Sequence, residues 1–207
     1  MLHSATSSEP GSRPGSSRVA ALATAVAAVL LTLTGSAHAQ VRLTREEALE
    51  LAFPDPALIE RRTAFLEQGQ LERIETMAGV EAGSAVVTYY VGRSDAGPLG
   101  VAYFDVHRVR TMPEVLMIVI DPAGRVDRIE ILSFAEPHEY MAPDGWLARL
   151  EGRGLPRDLE REDAVVGMTG ATLTSRAVTG AVRRTLALHE LLDPLGGADS
   201  RDDQRTP

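Results

Sequence analysis

The chain has 207 residues, no cysteine, and 21 basic residues, all arginine, against 29 acidic ones, for a formal charge of −8. Without a thiol there is no disulfide, iron–sulfur cluster, Cys-ligated zinc, c-type haem attachment or lipidated N-terminal cysteine, so a redox cofactor must be held by other chemistry. An acidic balance with no basic block argues against nucleic acid as a partner, because binding along a phosphate backbone needs clustered cations.

Residues 1–18 are rich in Ser, Pro and Gly and carry Arg13 and Arg18, and Val19 to Ala39 follows without an acidic residue or an arginine. Its densest apolar part, Val19 to Leu33, is shorter than the roughly 20 apolar residues of a bilayer span. It leads into Gly35-Ser36-Ala37-His38-Ala39, whose small-x-small ending suits signal peptidase. The expectation is a secretory signal over 1–39 with Gln40 as the new N-terminus. An uncleaved anchor is the alternative, since the uncharged stretch just spans if Thr32, Thr34 and Ser36 are tolerated. Either way the rest of the chain is expected to be exported, to the periplasm or the outer face of the cytoplasmic membrane. Loss of the leader removes Arg13, Arg18 and Glu9 and makes the remainder slightly more acidic. A cysteine-free exported fold relies on packing rather than cross-links.

Residues 40–84 read as a helical and strand extension. Thr44 and Glu47 have the spacing of a capping box, Ala48, Leu49, Leu51 and Ala52 follow, and Pro54 stops the helix. Ile59 to Leu66 alternates two faces as a strand, with a helix as the alternative. Leu71, Ile74 and Met77 predict a short helix over 70–78 ending at Gly79. From 85 the period changes. Ala85 to Val91 and Val101 to Val106 are β-branched and aromatic, and Gly92 to Gly100 supplies turn residues. Leu116 to Ile120 and Val126 to Leu132 form a second hairpin around Asp121-Pro122-Ala123-Gly124. Val126, Ile129 and Ile131 alternate imperfectly, so only one face of that strand is expected to be buried. A short helix over 143–151 holds Trp146, Leu147 and Leu150. The longest helix runs from Ser175 to Leu192, with Val178, Val182, Leu186 and Leu188 along one side. The tail, 196–207, is Gly, Asp and Arg rich and is expected to be disordered. The fold class is α+β: a small antiparallel sheet with flanking helices and a long C-terminal helix.

Four hydroxyls surround a Gly-Ala pair just before that helix, in Thr169-Gly170-Ala171-Thr172-Leu173-Thr174-Ser175. A helix N-terminus offers unpaired N–H groups and a partial positive charge, small residues let a ligand approach the backbone, and hydroxyls add donors. The segment therefore suits a phosphate, although Ser and Thr at such places also serve as plain helix caps.

At these residues the chain resembles the FMN-binding domain family, carried by peripheral flavoprotein subunits of Rnf-type and sodium-translocating NADH:quinone reductase complexes. The family motif is Ser/Thr-Gly-Ala-Thr, and it stands here as Thr169-Gly170-Ala171-Thr172. Glu114 to Val126 resembles the family's strand, acidic-Gly turn and strand. Glu136-Pro137 falls where such domains carry an acidic loop residue, and Trp146-Leu147 with Leu150-Glu151-Gly152 resembles the next short helix. The likeness covers roughly Val86 to Leu192 and places an FMN-binding domain within 85–195. It implies FMN as cofactor, joined through its phosphate to Thr172 as a phosphoester by a flavin transferase, and a membrane quinol or flavoprotein as electron-transfer partner. By the same likeness Thr169, Thr174 and Ser175 donate to the phosphate or cap the helix, Gly170 and Ala171 leave room for it, and Met168 or Leu173 lines the ring or packs in the core. Glu136 contacts the flavin or a partner, or is simply solvated. One position departs: the family's Asp three residues before the motif is Val166, with Asp163 three further back. That leaves a noncovalent or empty site as the alternative to the tether.

The expected function is an exported electron carrier or oxidoreductase subunit, with no catalytic residue and no metal of its own. A non-redox binding module with a degenerate flavin site, and a flavin-dependent reductase of a small acceptor, are the alternatives. His107 is assigned no role, because a lone His beside a strand is usually a surface or satisfied residue.

Overall fold

In the computed structural model, residues 40–54, 58–155 and 171–196 are described, and all of them belong to one unit that runs from His38 to Pro207. The leader, most of the tail, Asp163, Val166, Met168, Thr169 and Gly170 lie outside the described residues.

Six antiparallel strands form one sheet in the spatial order β1-β6-β5-β4-β3-β2. The strands are β1 (Gln40–Val41), β2 (Leu58–Phe65), β3 (Val86–Ser94), β4 (Gly97–Arg108), β5 (Pro113–Ile120) and β6 (Val126–Phe134). Helix α1 (Arg45–Ala52) covers one face, and α2 (Gln68–Ala78), α3 (Asp144–Leu147) and α4 (Thr172–Leu192) cover the other. The fold is therefore α+β, and the extension over 40–84 is part of the same sheet: β1 pairs with β6, and β2 pairs with β3 along its whole length.

The local signals act as expected at α1. Thr44 Oγ1 accepts from the Glu47 N–H at 3.2 Å, while the Thr44 N–H donates to Glu47 Oε2 at 2.8 Å, so two otherwise orphaned donors are satisfied at once. Helix α2 ends at Gly79, whose φ of 67° is the left-handed conformation that glycine adopts without cost. Residues 58–65 are strand rather than helix. The first hairpin is tighter than composition implied: β3 runs on to Ser94 and β4 starts at Gly97, and a register shift at Gly92/Arg93 absorbs the glycines within the ladder. Likewise α3 is a single turn continued by a 3-10 turn, Ala148–Leu150.

The imperfect alternation of β6 has a geometric cause. Register shifts at Val119/Ile120 and Val115/Leu116 each insert an extra β6 residue. Val126, Ile129, Ile131 and Phe134 therefore all face α4, while Leu132 turns to the α1 side and is buried there. Both faces of β6 are thus used, where alternation alone implied one.

The larger core lies between the sheet and the three helices. Val101, Leu116, Ile118 and Ile120 meet Val178, Ala181, Val182 and Leu186 of α4, and Trp146, Leu147 and Leu150 close one end. The smaller core places Ala48, Leu49 and Phe53 over Tyr90, Ala102, Met117 and Val119. Gly92 matters to that second core because a Cβ at this position would overlap the Phe53 ring. The ring is fully packed and cannot swing away cheaply, so Gly92→Ala is expected to cost about 1–3 kcal/mol, the usual range for overpacking, read as a lower denaturant midpoint at unchanged slope.

Candidate functional site

Helix α4 begins at Thr172, three residues earlier than its apolar period indicated, so Thr172, Leu173, Thr174 and Ser175 form its first turn. The N-cap is Ala171, which has no side-chain acceptor and makes no capping hydrogen bond of its own. The first turn of this 21-residue helix carries no acidic residue of its own at the positive end. Thr172 is exposed and Leu173 is about half exposed, so Leu173 is not core packing. The two hydroxyls that follow point inward. Thr174 Oγ1 donates to the Tyr140 carbonyl at 2.6 Å, and Ser175 Oγ donates to the Thr172 carbonyl at 2.9 Å. Both protons are committed to the backbone, so as placed these hydroxyls keep acceptor capacity only. Thr172 is the hydroxyl of the turn that faces outward.

Tyr140 connects this turn to two loops. The Arg110 guanidinium stands 4.6 Å over the Tyr140 ring, a cation–π contact that brings a permanent cation to the loop that meets the first turn of α4. Glu136 Oε1 accepts from the Thr111 N–H at 2.7 Å, the Met112 N–H at 2.9 Å and the Thr111 hydroxyl at 3.1 Å. These backbone donors hold its carboxyl below the ordinary carboxylate value, with Arg110 adding to the effect. Glu136 thus pins the 109–112 loop, which carries Arg110, against the segment after β6. The structure brings Thr172, Leu173, Thr174, Ser175 and Ala171 together at one helix end. It joins Glu136 to them through the loop rather than by direct contact.

A second cluster lies further along α4. Asp105 and His107 point to the same side of β4, and Glu114 is the register partner of His107 on β5. His107 Nδ1 meets Asp105 Oδ1 at 2.8 Å and Nε2 meets Glu114 Oε2 at 2.9 Å. Arg184 of α4 closes the chain with Nε and Nη2 on the Asp105 carboxylate at 2.8–2.9 Å. Burial opposes charging of the imidazole, but the hydrogen bonds and negative charges of Asp105 and Glu114 outweigh it and push the His107 pKa up to about 9. Burial would likewise raise Asp105, yet His107 and Arg184 hold it below its ordinary value. Glu114 is fully buried, and its Oε1 has no hydrogen-bond partner. His107 therefore has a definite place as the cation between two carboxylates. The Asp-x-His spacing on a strand showed that Asp105 and His107 share a face, but the contact with Glu114 depends on hairpin register and that with Arg184 on helix docking.

Residues 112–187 match the family model of the FMN-binding domain. The match runs from the entry to β5 through α4 as far as Ala187 and includes Glu136 and the whole first turn of α4. No curated protein matches the chain. A long helix that starts at a small residue without a capping side chain, joined through Tyr140 to a loop cation, is a geometry suited to an anion. The segment from 112 to 187 is thus similar to the FMN-binding domain, and FMN is the cofactor that this match indicates. Strands β1 to β4 lie outside the match but are hydrogen-bonded into the same sheet.

The His107 bridge predicts a pH dependence with a definite sign. Its folded pKa is raised from 6.5 to about 9, so its stabilising contribution is complete below pH 6.5 and is lost as pH rises through about 9. Denaturant midpoints are expected to fall over that window in the wild type. His107→Gln should be less stable at pH 6.5 and should show a flatter fall across the same range.

Proposed function

We propose that this protein is an exported electron carrier whose FMN is joined by a phosphoester to Thr172. The observation that supports the attachment is the geometry of the first turn of α4. Thr172 is the outward hydroxyl there, Ala171 brings no capping side chain of its own, and Thr174 and Ser175 turn inward to bond carbonyls. A phosphate on the Thr172 oxygen would sit at the positive end of a long helix, where an anion is favoured by about 0.3–1 kcal/mol per charge when exposed and more when partly buried. Arg110 stands over the ring of Tyr140, whose carbonyl bonds Thr174 in the same turn, and in this reading its charge balances the phosphate. Thr172 is a tether and not a catalyst.

FMN supplies one- and two-electron transfer when bound, and the protein supplies orientation, polarity and access. The residues of this chain hold the phosphate end and fix the helix that carries it. A covalent tether suits export, because a lost cofactor is not readily recaptured outside the cytoplasm. Attachment requires a flavin transferase, and turnover requires a donor and an acceptor, for which a membrane quinol or a flavoprotein fits the class of chemistry. Among the described residues no helix is long and apolar enough to cross a membrane, and export rests on the leader sequence.

Co-expression with an FMN transferase tests the reading. The wild type is expected to keep flavin fluorescence after denaturation. Thr172→Ala should lose it entirely, while Thr174→Ala should keep it, though with lower stability from the lost bond to Tyr140. Arg110→Gln should lower the fraction of chains carrying flavin at equal expression. A wild type that stays colourless with the transferase present would end the proposal.

A further inference from the structure

The two edges of the sheet are finished differently. On the outer side of β6, the N–H groups of Arg42 and Leu43 donate to the Leu132 carbonyl at 2.8 and 3.4 Å, and β1 pairs with Ser133 and Phe134. At its other end the Val126 N–H donates to the Arg153 carbonyl, and the Val126 carbonyl accepts from the Gly152 N–H. Strand β2 is the opposite edge, eight residues long, free of proline and paired with β3 in unbroken register. The Leu66 N–H donates to the Ala85 carbonyl at 2.7 Å, one step beyond the Phe65 and Val86 pair, so the even-numbered residues of β2 bond β3. The Ser84 hydroxyl agrees with this alternation, because it takes both the N–H and the C=O of Val86, which therefore do not bond Phe65. The main-chain groups of Ile59, Arg61, Thr63 and Phe65 thus point outward, and among the described residues they have no hydrogen-bond partner.

The side chains of this edge are sorted by face. Ile59 packs with the α1 core and Ala64 with the α4 core, so Ile59, Arg61, Thr63 and Phe65 share one face and Leu58, Glu60, Arg62 and Ala64 the other. Leu58 and Phe65, at the two ends of the strand, are 70% and 76% exposed. In the middle, Arg62 Nε and Nη2 hold Glu60 at 2.9 and 2.7 Å, and Nη1 donates to the Pro194 carbonyl at 3.2 Å. Charges on an edge strand ordinarily deter pairing. Here two of the three cancel within the strand, which leaves Arg61 as the one charge of β2 outside an ion pair.

We propose that β2 is the interface of a homodimer, in which the β2 strands of two copies pair antiparallel about a two-fold axis that passes between their Arg62 residues. A two-fold axis normal to the sheet keeps each face on its own side, so opposed residues must share parity. Centring on Arg62 pairs every outward group: Ile59 with Phe65 of the second copy, Arg61 with Thr63, and the two symmetric pairs, about eight main-chain bonds at two per pair. The same register lays the exposed Phe65 against Ile59 of the second copy and Leu58 beside its Leu66. Arg61 meets a threonine, and Glu60 of each copy lies diagonal to Arg62 of the other, within reach of long side chains. The two Arg62 side chains meet at the axis, each already held by its own Glu60. Centring on Arg61 instead would pair only three of the four outward residues and oppose the two Arg61 side chains. A second copy is the occupant because the strand supplies its own complement, apolar against apolar at both ends and opposite charges near the middle. The interface lies by the C-terminal end of α4, where Arg62 reaches Pro194, and Thr172 starts that helix about 30 Å away. The proposal therefore stands whether or not Thr172 carries FMN.

Analytical ultracentrifugation of the protein purified after export tests this, over concentrations from about 1 μM to about 1 mM. A monomer–dimer equilibrium is expected, with a Kd of about 1–100 μM for so small an interface. Thr63→Pro removes one outward N–H, a change that an edge strand tolerates, and should raise Kd by about tenfold. Phe65→Glu, at an exposed position that the fold does not need, should weaken the dimer in the same way and keeps the test valid if the proline variant fails to fold. Amides of Ile59, Arg61, Thr63 and Phe65 should exchange about tenfold more slowly in the dimer than in the monomer. Because the chain has no cysteine, Arg62→Cys places one thiol at the axis and should oxidise to a disulfide-linked dimer, whereas Thr63→Cys, diagonal to its copy, should not. Three results would each overturn the proposal: a monomer at about 1 mM; a dimer that neither Thr63→Pro nor Phe65→Glu weakens; or cross-linking through Thr63→Cys but not through Arg62→Cys.

Discussion

The bidentate pairing of Arg184 with Asp105 is the contact on which the arrangement of the molecule turns. Asp105 lies on β4, and Arg184 lies midway along the longest described helix. Apolar burial of Val178, Val182 and Leu186 holds α4 onto the sheet but is non-directional, and would tolerate sliding along the strands. The ion pair is directional. With side chains only 16% and 12% exposed, it fixes where along β4 the helix sits. Removing one partner of a buried pair commonly costs about 3–5 kcal/mol, because the other charge is left without compensation. His107 and Glu114 extend the same constraint to β5, so one line of charges joins helix, two strands and the segment that leads into β3.

Two distant features follow from that docking. At the N-terminal end, α4 reaches the Tyr140 carbonyl through Thr174, and Tyr140 in turn meets Arg110. The motif is therefore presented on the first turn of a helix whose axial position is set by a contact many residues away. At the middle of the helix, the Arg184 side chain that sets the register also donates from Nη1 to the Glu81 carbonyl at 3.2 Å, in the segment that leads into β3. Near the other end, Tyr103 and His189 are hydrogen-bonded at 3.0 Å, and burial lowers the His189 pKa, which favours a neutral imidazole that accepts from the phenol. Helix α4 is thus held by polar contacts at three levels, with apolar contacts between them.

Much of the fold was legible in the sequence because it rested on short-range chemistry. The capping box at Thr44 and Glu47, the glycine stop at Gly79 and the Asp121 to Gly124 turn each involve residues within four positions of one another. Asp121 Oδ1 accepts the Ala123 and Arg125 N–H groups at 2.8 and 2.9 Å, as such a turn should. What was not legible depended on register or docking. The bulges that let β6 bury both faces and the contact of His107 with Glu114 both need the partner strand. The start of α4 at Thr172 was hidden because Thr-Leu-Thr-Ser carries no apolar period of its own. For the candidate site, the motif and its place before a long helix were readable. The inward turn of Thr174 and the nearness of Arg110 were not, since both arise from loops that approach only in three dimensions.

The account centres on the oxygen of Thr172, and mass spectrometry of one peptide addresses it most directly. Trypsin releases Glu162 to Arg176, which contains Thr169, Thr172, Thr174 and Ser175. From protein co-expressed with an FMN transferase, this peptide is expected to carry the mass of one FMN less water, with fragment ions placing all of it on Thr172. An unmodified peptide, or flavin on Thr169, Thr174 or Ser175, would contradict the account.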